Sequence, residues 1–185
     1  MTDTQELVEQ AKNGDQSAFT ALLKPHLKIG YNVCYRITGS QHDAEDALAE
    51  AMGLAFRGMA KFRGDAKFET WFYRIAANAS KELMRRKKEA VYIQDDEGGE
   101  IQLADPSVPD AFSAVEGMGD VTTALNSLSA DAREAFVLAS VVGMKIAEIA
   151  SHQGSSVSAT KVRLHRARRT LKDMMNTDGT LRVQF

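Results

Sequence analysis

The chain has 185 residues, of which 44% are hydrophobic and 26% are charged, and its formal net charge is −2. This composition is typical of a globular protein and excludes an intrinsically disordered chain. The single cysteine, Cys34, excludes an internal disulfide, and no apolar run reaches the length of a membrane-spanning helix. Acidic residues stand where a signal peptide would be basic, so we expect a soluble, cytoplasmic chain with no membrane insertion.

Charge is distributed unevenly along the chain. Residues 1–88 hold fourteen basic and eleven acidic residues, and residues 121–185 hold nine basic and five acidic ones. Between them, residues 89–120 hold nine acids and no basic residue. Two cationic blocks flanking an acidic segment are typical of proteins that contact nucleic acid. The polar composition of that segment, with two prolines and a Gly-Gly pair, predicts a flexible linker between two small domains.

The first block is predicted to be helical. Apolar spacing and capping residues predict helices at 4–12, from about 15 to 37 with a kink at Pro25, from about 43 to 59, and from 68 to 88. The third helix opens with Asp43, Glu45, Asp46 and Glu50, where the helix dipole favours carboxylates. These acids either stabilise the helix or form a docking edge for a partner protein. No metal site is expected, because neighbouring helical positions do not converge on one ion.

The fourth predicted helix carries two stripes of different character. One is a core stripe of Phe72, Ile75, Ala76, Ala79 and Leu83. The other combines an aromatic residue, cations and an amide, namely Trp71, Arg74, Asn78, Lys81 and Arg85. Such groups can hold unstacked bases and their phosphates. The alternative is that Trp71 belongs to the core and the cations form a solvated face.

The second block predicts helices near Val121 and after Ser129, then a short helix, a turn at Gly154 and a strongly cationic helix. The segment 155–172 has six basic residues and no acid. Its apolar stripe is Thr160, Leu164, Ala167 and Leu171, which leaves Lys161, Val162, His165, Arg166 and Arg169 facing outward. This order predicts a helix-turn-helix whose second helix is the recognition helix. A solvated basic face is the alternative. Cations without acidic partners favour binding to phosphate, because that binding releases counterions from the nucleic acid.

Five motifs, in order, carry a resemblance to a known family. They are Asp43-Ala-Glu-Asp46, Phe62-Arg-Gly-Asp65, Thr70-Trp-Phe-Tyr-Arg-Ile-Ala-Ala-Asn78, Glu148-Ile-Ala150 and Arg163-Leu-His-Arg-Ala-Arg168. The chain resembles the extracytoplasmic-function (ECF) sigma factors, bacterial sigma factors built from sigma regions 2 and 4 alone. The resemblance covers about residues 5–88 and 120–172. It implies an all-α fold comprising a region 2 helical bundle (1–90), an acidic linker (91–119), a region 4 helix-turn-helix (120–176) and a tail (177–185).

The resemblance also implies roles for individual residues. Region 2 would dock on the polymerase β′ subunit through Asp43, Asp46 and Glu50. Its last helix would recognise the −10 promoter element on the non-template strand, with Asn78 lining a pocket for an extruded base. Trp71, Arg74 and Lys81 would hold the opened strand, while Arg85 and Arg86 would contact phosphates. Region 4 would place its recognition helix in the −35 major groove, contacting DNA through Lys161, Val162, Arg163, His165, Arg166 and Arg169.

The implied function is that of a non-catalytic specificity subunit, which binds core RNA polymerase (β′ and β subunits) and promoter DNA to direct transcription initiation. It needs no cofactor, metal or small-molecule substrate, and a separate anti-sigma factor is the expected inhibitor. The alternative is a free-standing helix-turn-helix regulator, which would leave the stripe of Trp71 and Asn78 without a purpose. A nucleic-acid enzyme is disfavoured, because the chain lacks a Cys/His cluster and a phosphate-binding glycine loop.

Several positions depart from the family pattern. Ala49 stands where Gln is common, and Met52 where Phe is common. Ser158-Ala159-Thr160 replaces the usual Gly-Thr-Val, and Gln153 occupies a turn position that is usually apolar. We therefore expect a less tightly packed helix-turn-helix, whose base preference does not transfer from relatives.

Overall fold

A computed structural model describes residues 4–95 and 118–177, and the side chains of residues 4–90 and 121–174. These residues form α-helices and two short 3-10 turns, with no strand among them, which confirms the predicted all-α class. Most of the predicted linker, residues 96–117, lies outside the described residues, as does residue 178 onward. The α-helices are α1 Thr4–Lys12, α2 Gln16–Leu23, α3 Leu27–Thr38, α4 Gln41–Gly58, α5 Phe68–Asp95, α6 Met118–Asn126, α7 Ala130–Ser140, α8 Ile146–His152 and α9 Val157–Thr177.

The N-terminal domain is built around α3, α4 and α5, which pack against one another. Phe72 of α5 is fully buried at their centre, and α4 presents a row of small buried side chains, Ala44, Ala47, Ala51 and Ala55. A Cβ on Gly30 of α3 would lie 2.8 Å from the Phe72 ring, so the helices approach closely only with glycine there. Cys34 is buried in the same core, and burial raises the pKa of its thiol to about 11, as expected for a core thiol rather than a reactive one.

Local signals set the boundaries of these helices. Asp15 caps α2 by accepting hydrogen bonds from two backbone N–H groups. Gly39 ends α3 in the left-handed conformation, with φ of 77°, and Ser40 then caps α4. Because Ser40 is the cap, α4 begins two residues before the predicted start at Asp43. At the other end of the domain, α5 continues to Asp95, past the predicted end at residue 88.

The C-terminal domain confirms the predicted helix-turn-helix. The short helix α8 is followed by Gly154, with φ of 60°, and then by α9. All four residues of the predicted α9 stripe are buried: Thr160, Leu164, Ala167 and Leu171. Thr160 also donates a hydrogen bond to the Ser156 C=O at 3.0 Å, within the first turn of α9.

The two domains touch along α3 and α5 on one side and α6 and α7 on the other. Arg133 of α7 bridges them, because its guanidinium donates to the Ile37 C=O at 2.7 Å and to the Asn126 C=O at 3.0 Å. A Cβ on Gly39 would lie 2.9 Å from Asn126 Oδ1, which shows how closely the domains approach here. This contact places α7 beside the polar stripe of α5.

Candidate nucleic-acid interface

The stripe predicted on α5 is exposed only in part. Asn78, Arg85 and Arg86 face solvent, whereas Arg74 and Lys81 are half-buried. Trp71 is also half-buried and packs on two rings of the core margin, with centroid distances of 5.0 Å to Phe62 and 5.9 Å to Phe68. Trp71 therefore supports the loop of the Phe62-Arg-Gly-Asp65 motif and keeps part of its ring at the surface.

The exposed cations of α5 have carboxylate partners within the N-terminal domain. Arg85 pairs with Glu82 at 2.6 Å and also with Glu89, and Arg86 pairs with Glu50 at 2.9 Å. The hydrogen bond from Arg85 holds the pKa of Glu82 below its usual value. Exposed pairs of this kind contribute little to stability, because water and salt screen them. Pairs this weak can exchange their carboxylate partner for another anion.

The half-buried cations of α5 instead pair with the C-terminal domain. Lys81 Nζ lies 3.0 Å from Asp131 Oδ1 and 3.0 Å from Glu134 Oε2, both on α7. Arg74 Nη2 lies 3.8 Å from Glu148 Oε1 on α8. In this arrangement, part of the predicted strand-binding stripe is turned towards the other domain.

Glu134 is a site residue that the sequence reasoning missed. Its side chain is 0% exposed, and it accepts hydrogen bonds from Lys81, from His152 Nε2 at 3.1 Å and from Gln153 Nε2 at 2.6 Å. Burial alone would raise the pKa of this carboxyl, but the three donors outweigh burial and hold it below its usual value. The sequence did hold a signal for its burial. The segment from Ala135 to Ala139 is apolar on nearly all sides, so α7 must be covered on more than one face, and Glu134 directly precedes this segment.

The predicted outer face of α9 is exposed as expected. Lys161, Val162, His165, Arg166 and Arg169 all face solvent, and Val162 is 49% exposed, which is unusual for a large apolar side chain. Arg163 differs from them, because it is half-buried and donates to Gln153 Oε1. The polar turn residue Gln153 is thus fully engaged, since its amide also donates to the Asp131 C=O at 2.9 Å.

The acidic residues predicted as a docking edge lie on α4 in two different settings. Asp43 is buried and accepts hydrogen bonds from Lys87 Nζ at 2.6 and 2.8 Å. Asp46 is exposed near His42, and Glu50 pairs with Arg86. The structure therefore places Asp46 and Glu50 at the surface and turns Asp43 towards α5.

A cleft of about 920 Å³ lies between the domains, bordered by Asn78, Lys81 and Arg85 of α5 and by Ala130 and Arg133 of the C-terminal domain. A shallower groove of about 740 Å³ runs along α9 past Val162 and Arg166. The described residues include no His, Cys, Asp or Glu group arranged to hold a metal ion. None of the described helices combines the length and apolar character required to cross a membrane.

Comparison with known proteins assigns both domains. The family model of Sigma-70 region 2 matches residues 22–90, and that of Sigma-70 region 4 matches residues 118–171. The chain is 31% identical to the ECF RNA polymerase sigma factor SigW of Bacillus subtilis over 176 residues, covering 91% of this chain and 94% of SigW. It is 32% identical to the ECF RNA polymerase sigma-E factor of Escherichia coli K12, covering 92% and 93% of the two chains.

Solved structures show the same architecture. CnrH, in complex with the cytosolic domain of CnrY, superposes with a TM-score of 0.70 at 25% identity, covering 95% of this chain and 99% of CnrH. The sigma factor RpoE of Bartonella quintana, in complex with the anti-sigma factor NepR, gives a TM-score of 0.70 at 26% identity, covering 86% and 98%. The chain contains the two sigma regions in order, and it matches SigW and the sigma-E factor over nearly their whole length. The chain therefore belongs to the ECF sigma factors of RNA polymerase.

Proposed function

We propose that this chain binds core RNA polymerase in the cytoplasm and directs it to promoters through two separate DNA contacts, without catalytic residues of its own. The observation that carries this proposal is the pair of cation-bearing helices, α5 in region 2 and α9 in region 4, on one chain. A free-standing regulator would need only α9. The stripe on α5, with the exposed amide of Asn78 among cations, supports a second nucleic-acid contact.

Region 2 is proposed to hold the opened non-template strand of the −10 element. Asn78 faces solvent from the middle of α5 and carries both hydrogen-bond donors and an acceptor, which suits the edge of an extruded base. Phosphates would be bound by the surrounding cations Arg74, Lys81, Arg85 and Arg86, while Trp71 supplies an aromatic edge. Unstacking a base costs a few kcal/mol, and stacking on protein groups returns about 1–3 kcal/mol per base, so opening needs no ATP.

Region 4 is proposed to read the −35 duplex with the exposed face of α9. Lys161, Val162, His165 and Arg166 lie nearest the bases in this arrangement, and Val162 offers an apolar contact for a thymine methyl group. Arg169 is exposed further along the helix and suits a phosphate. Arg163 is engaged by Gln153, so we assign it to orienting the recognition helix as well as to the DNA backbone.

The acidic edge of α4 is proposed to dock on polymerase β′. Asp46 is exposed, and Glu50 becomes available once its ion pair with Arg86 opens. Asp43 is buried and contributes indirectly, by forming an ion pair with Lys87 of α5. Because RpoE of Bartonella quintana is found with an anti-sigma factor, we also propose that a separate anti-sigma protein inhibits this chain.

Assembly with core RNA polymerase tests the proposal. A fluorescently labelled chain titrated with core enzyme should form a stoichiometric complex, and Asp46→Lys should weaken it several-fold by reversing a charge at the docking edge. The matched control is Glu9→Lys, which reverses an exposed acid on α1 and should leave assembly unchanged. Failure of the wild-type chain to bind core enzyme would reject the proposed function.

A further inference from the structure

The strand-binding cations of region 2 are covered by an acidic surface of region 4, which we define as Asp131, Glu134 and Glu148. Lys81 donates to Asp131 and Glu134 at 3.0 Å each, and Arg74 lies 3.8 Å from Glu148. Lys81 and Arg74 are two helical turns apart on one face of α5. Carboxylate oxygens thus meet Lys81 at hydrogen-bond distance, as phosphate oxygens would, and Glu148 forms a longer ion pair with Arg74.

The contact is built into both domains. Arg133 lies on α7, as do Asp131 and Glu134, and it donates to the Ile37 C=O in the last turn of α3. A cation is favoured there, because the last carbonyls of a helix lack intrahelical donors and carry the negative end of its dipole. The cleft beside it is bordered by Asn78 and Arg85 as well as by Arg133, so region 4 also forms one edge of the proposed base pocket, while the Asn78 side chain stays exposed.

Glu134 shows that the contact can open without leaving a buried charge unsatisfied. Two of its three donors, His152 and Gln153, belong to region 4 and stay with it when the domains separate. On the other side, Lys81 would exchange two carboxylates for water or a DNA phosphate. Both surfaces are therefore satisfied in the open state, which is what a reversible contact requires.

We propose that region 4 inhibits region 2 within the same molecule, with the acidic surface occupying Arg74 and Lys81 in place of the promoter strand. This inference depends on the proposed role of those two residues in strand binding. The closed chain has low affinity for the −10 strand until polymerase or duplex DNA draws region 4 away. Gln153, which contacts both Glu134 and Arg163, connects the contact directly to the recognition helix.

Two matched variants of the full chain test the closure. Asp131→Asn removes one exposed acid that faces Lys81, and Asp173→Asn removes another exposed acid of region 4 that lies on α9. Small-angle scattering should show a larger radius of gyration for Asp131→Asn than for the wild type, and no change for Asp173→Asn. Equal radii for all three proteins would refute a closure held by this contact.

Binding of a labelled, mixed-sequence single-stranded 12-mer tests the inhibition. If the closed form holds about nine tenths of the molecules, opening raises the apparent affinity by at most about tenfold. We expect Asp131→Asn to bind several-fold more tightly than the wild type, and more tightly than Asp173→Asn, which has the same net charge. Equal gains in affinity for the two variants would show that net charge alone causes the effect, and would overturn the inhibition. An Asp131→Asn chain that opened without binding the 12-mer more tightly would also overturn it.

The scattering arm uses neither DNA nor polymerase. A chain that opened in Asp131→Asn but did not assemble with core enzyme would refute the proposed function and leave the closed state standing. A chain that assembled with core enzyme and transcribed normally but showed no closure would refute the inhibition and leave the proposed function standing.

Discussion

The guanidinium of Arg133 in α7 donates to the carbonyl oxygen of Ile37, 2.7 Å away in the last turn of α3. This bond joins the two sigma regions at the C-terminal end of α3, where the last carbonyls of a helix lack donors from a following turn. The same side chain also reaches the Asn126 C=O at 3.0 Å, at the end of α6. A single planar cation therefore joins the ends of two helices to α7.

Arg133→Ala should lower the free energy of unfolding by about 1.5–3 kcal/mol, because a charged donor to two carbonyls is lost. Arg133→Lys should recover only part of that loss, since an ammonium group lacks the planar fork that reaches both carbonyls. Urea denaturation followed by circular dichroism measures the difference. Arg168→Ala, an exposed arginine on α9, is the control and should have little effect. Equal stability of Arg133→Ala and the control would contradict the bridge.

Glu134 makes stability dependent on pH at the acidic end. The folded protein lowers the pKa of this carboxyl from its ordinary value of 4.5, so its contribution is complete above that pH and is lost as the pH falls through the folded value. We expect Glu134→Gln to cost about 1–3 kcal/mol at pH 7, because its donors lose an ionised acceptor. The gap between variant and wild type should then shrink below pH 4.5.

Urea denaturation of both proteins between pH 7 and pH 3 provides the measurement. Glu45→Gln, which alters an exposed acid on α4, serves as the comparison and should follow the wild type throughout. A gap for Glu134→Gln that stayed constant over the acidic range would show that its ionisation does not stabilise the fold.

Asn78→Ala should impair promoter opening more than promoter binding. In its proposed role the amide meets a base only after that base leaves the duplex, so closed-complex affinity should change little. Permanganate reactivity of unpaired thymines measures opening, and a mobility-shift assay measures binding. Gln10→Ala, which removes an exposed amide on α1, is the matched control. Equal losses at both stages would argue against the base pocket.

Arg166→Ala should weaken binding to the specific −35 duplex by about 1–3 kcal/mol relative to random duplex if its guanidinium makes a bidentate base contact. Arg168→Ala changes the same charge on the same exposed helix and should weaken both duplexes alike. Fluorescence anisotropy at two salt concentrations separates the effects, because phosphate contacts alter the salt dependence. A uniform loss for Arg166→Ala would assign this residue to phosphate.

The sequence was sufficient for those features that depend on local periodicity. The stripe of Thr160, Leu164, Ala167 and Leu171 follows from helical spacing alone, and all four residues are buried. The break at Gly39 likewise needs only a glycine with positive φ, whereas the cap at Ser40, which starts α4 two residues before the predicted Asp43, was missed.

The features that the sequence could not supply are those set by contacts distant in the chain. Arg74 and Lys81 have the spacing of an exposed stripe, but their partners stand 50 or more positions away, in a different domain. Asp43 has the same helical periodicity as Asp46, yet Lys87 draws it into the protein. No local pattern predicts which acid pairs with which cation, because the pairing depends on how the helices and the two domains pack.

Run-off transcription with bacterial core RNA polymerase on a fragmented genomic library tests the central claim most directly. Core enzyme supplemented with this chain should yield discrete transcripts whose start sites share two upstream elements, and core enzyme alone should yield none of them. Transcripts that were identical with and without the chain would contradict its assignment as a promoter-specificity subunit.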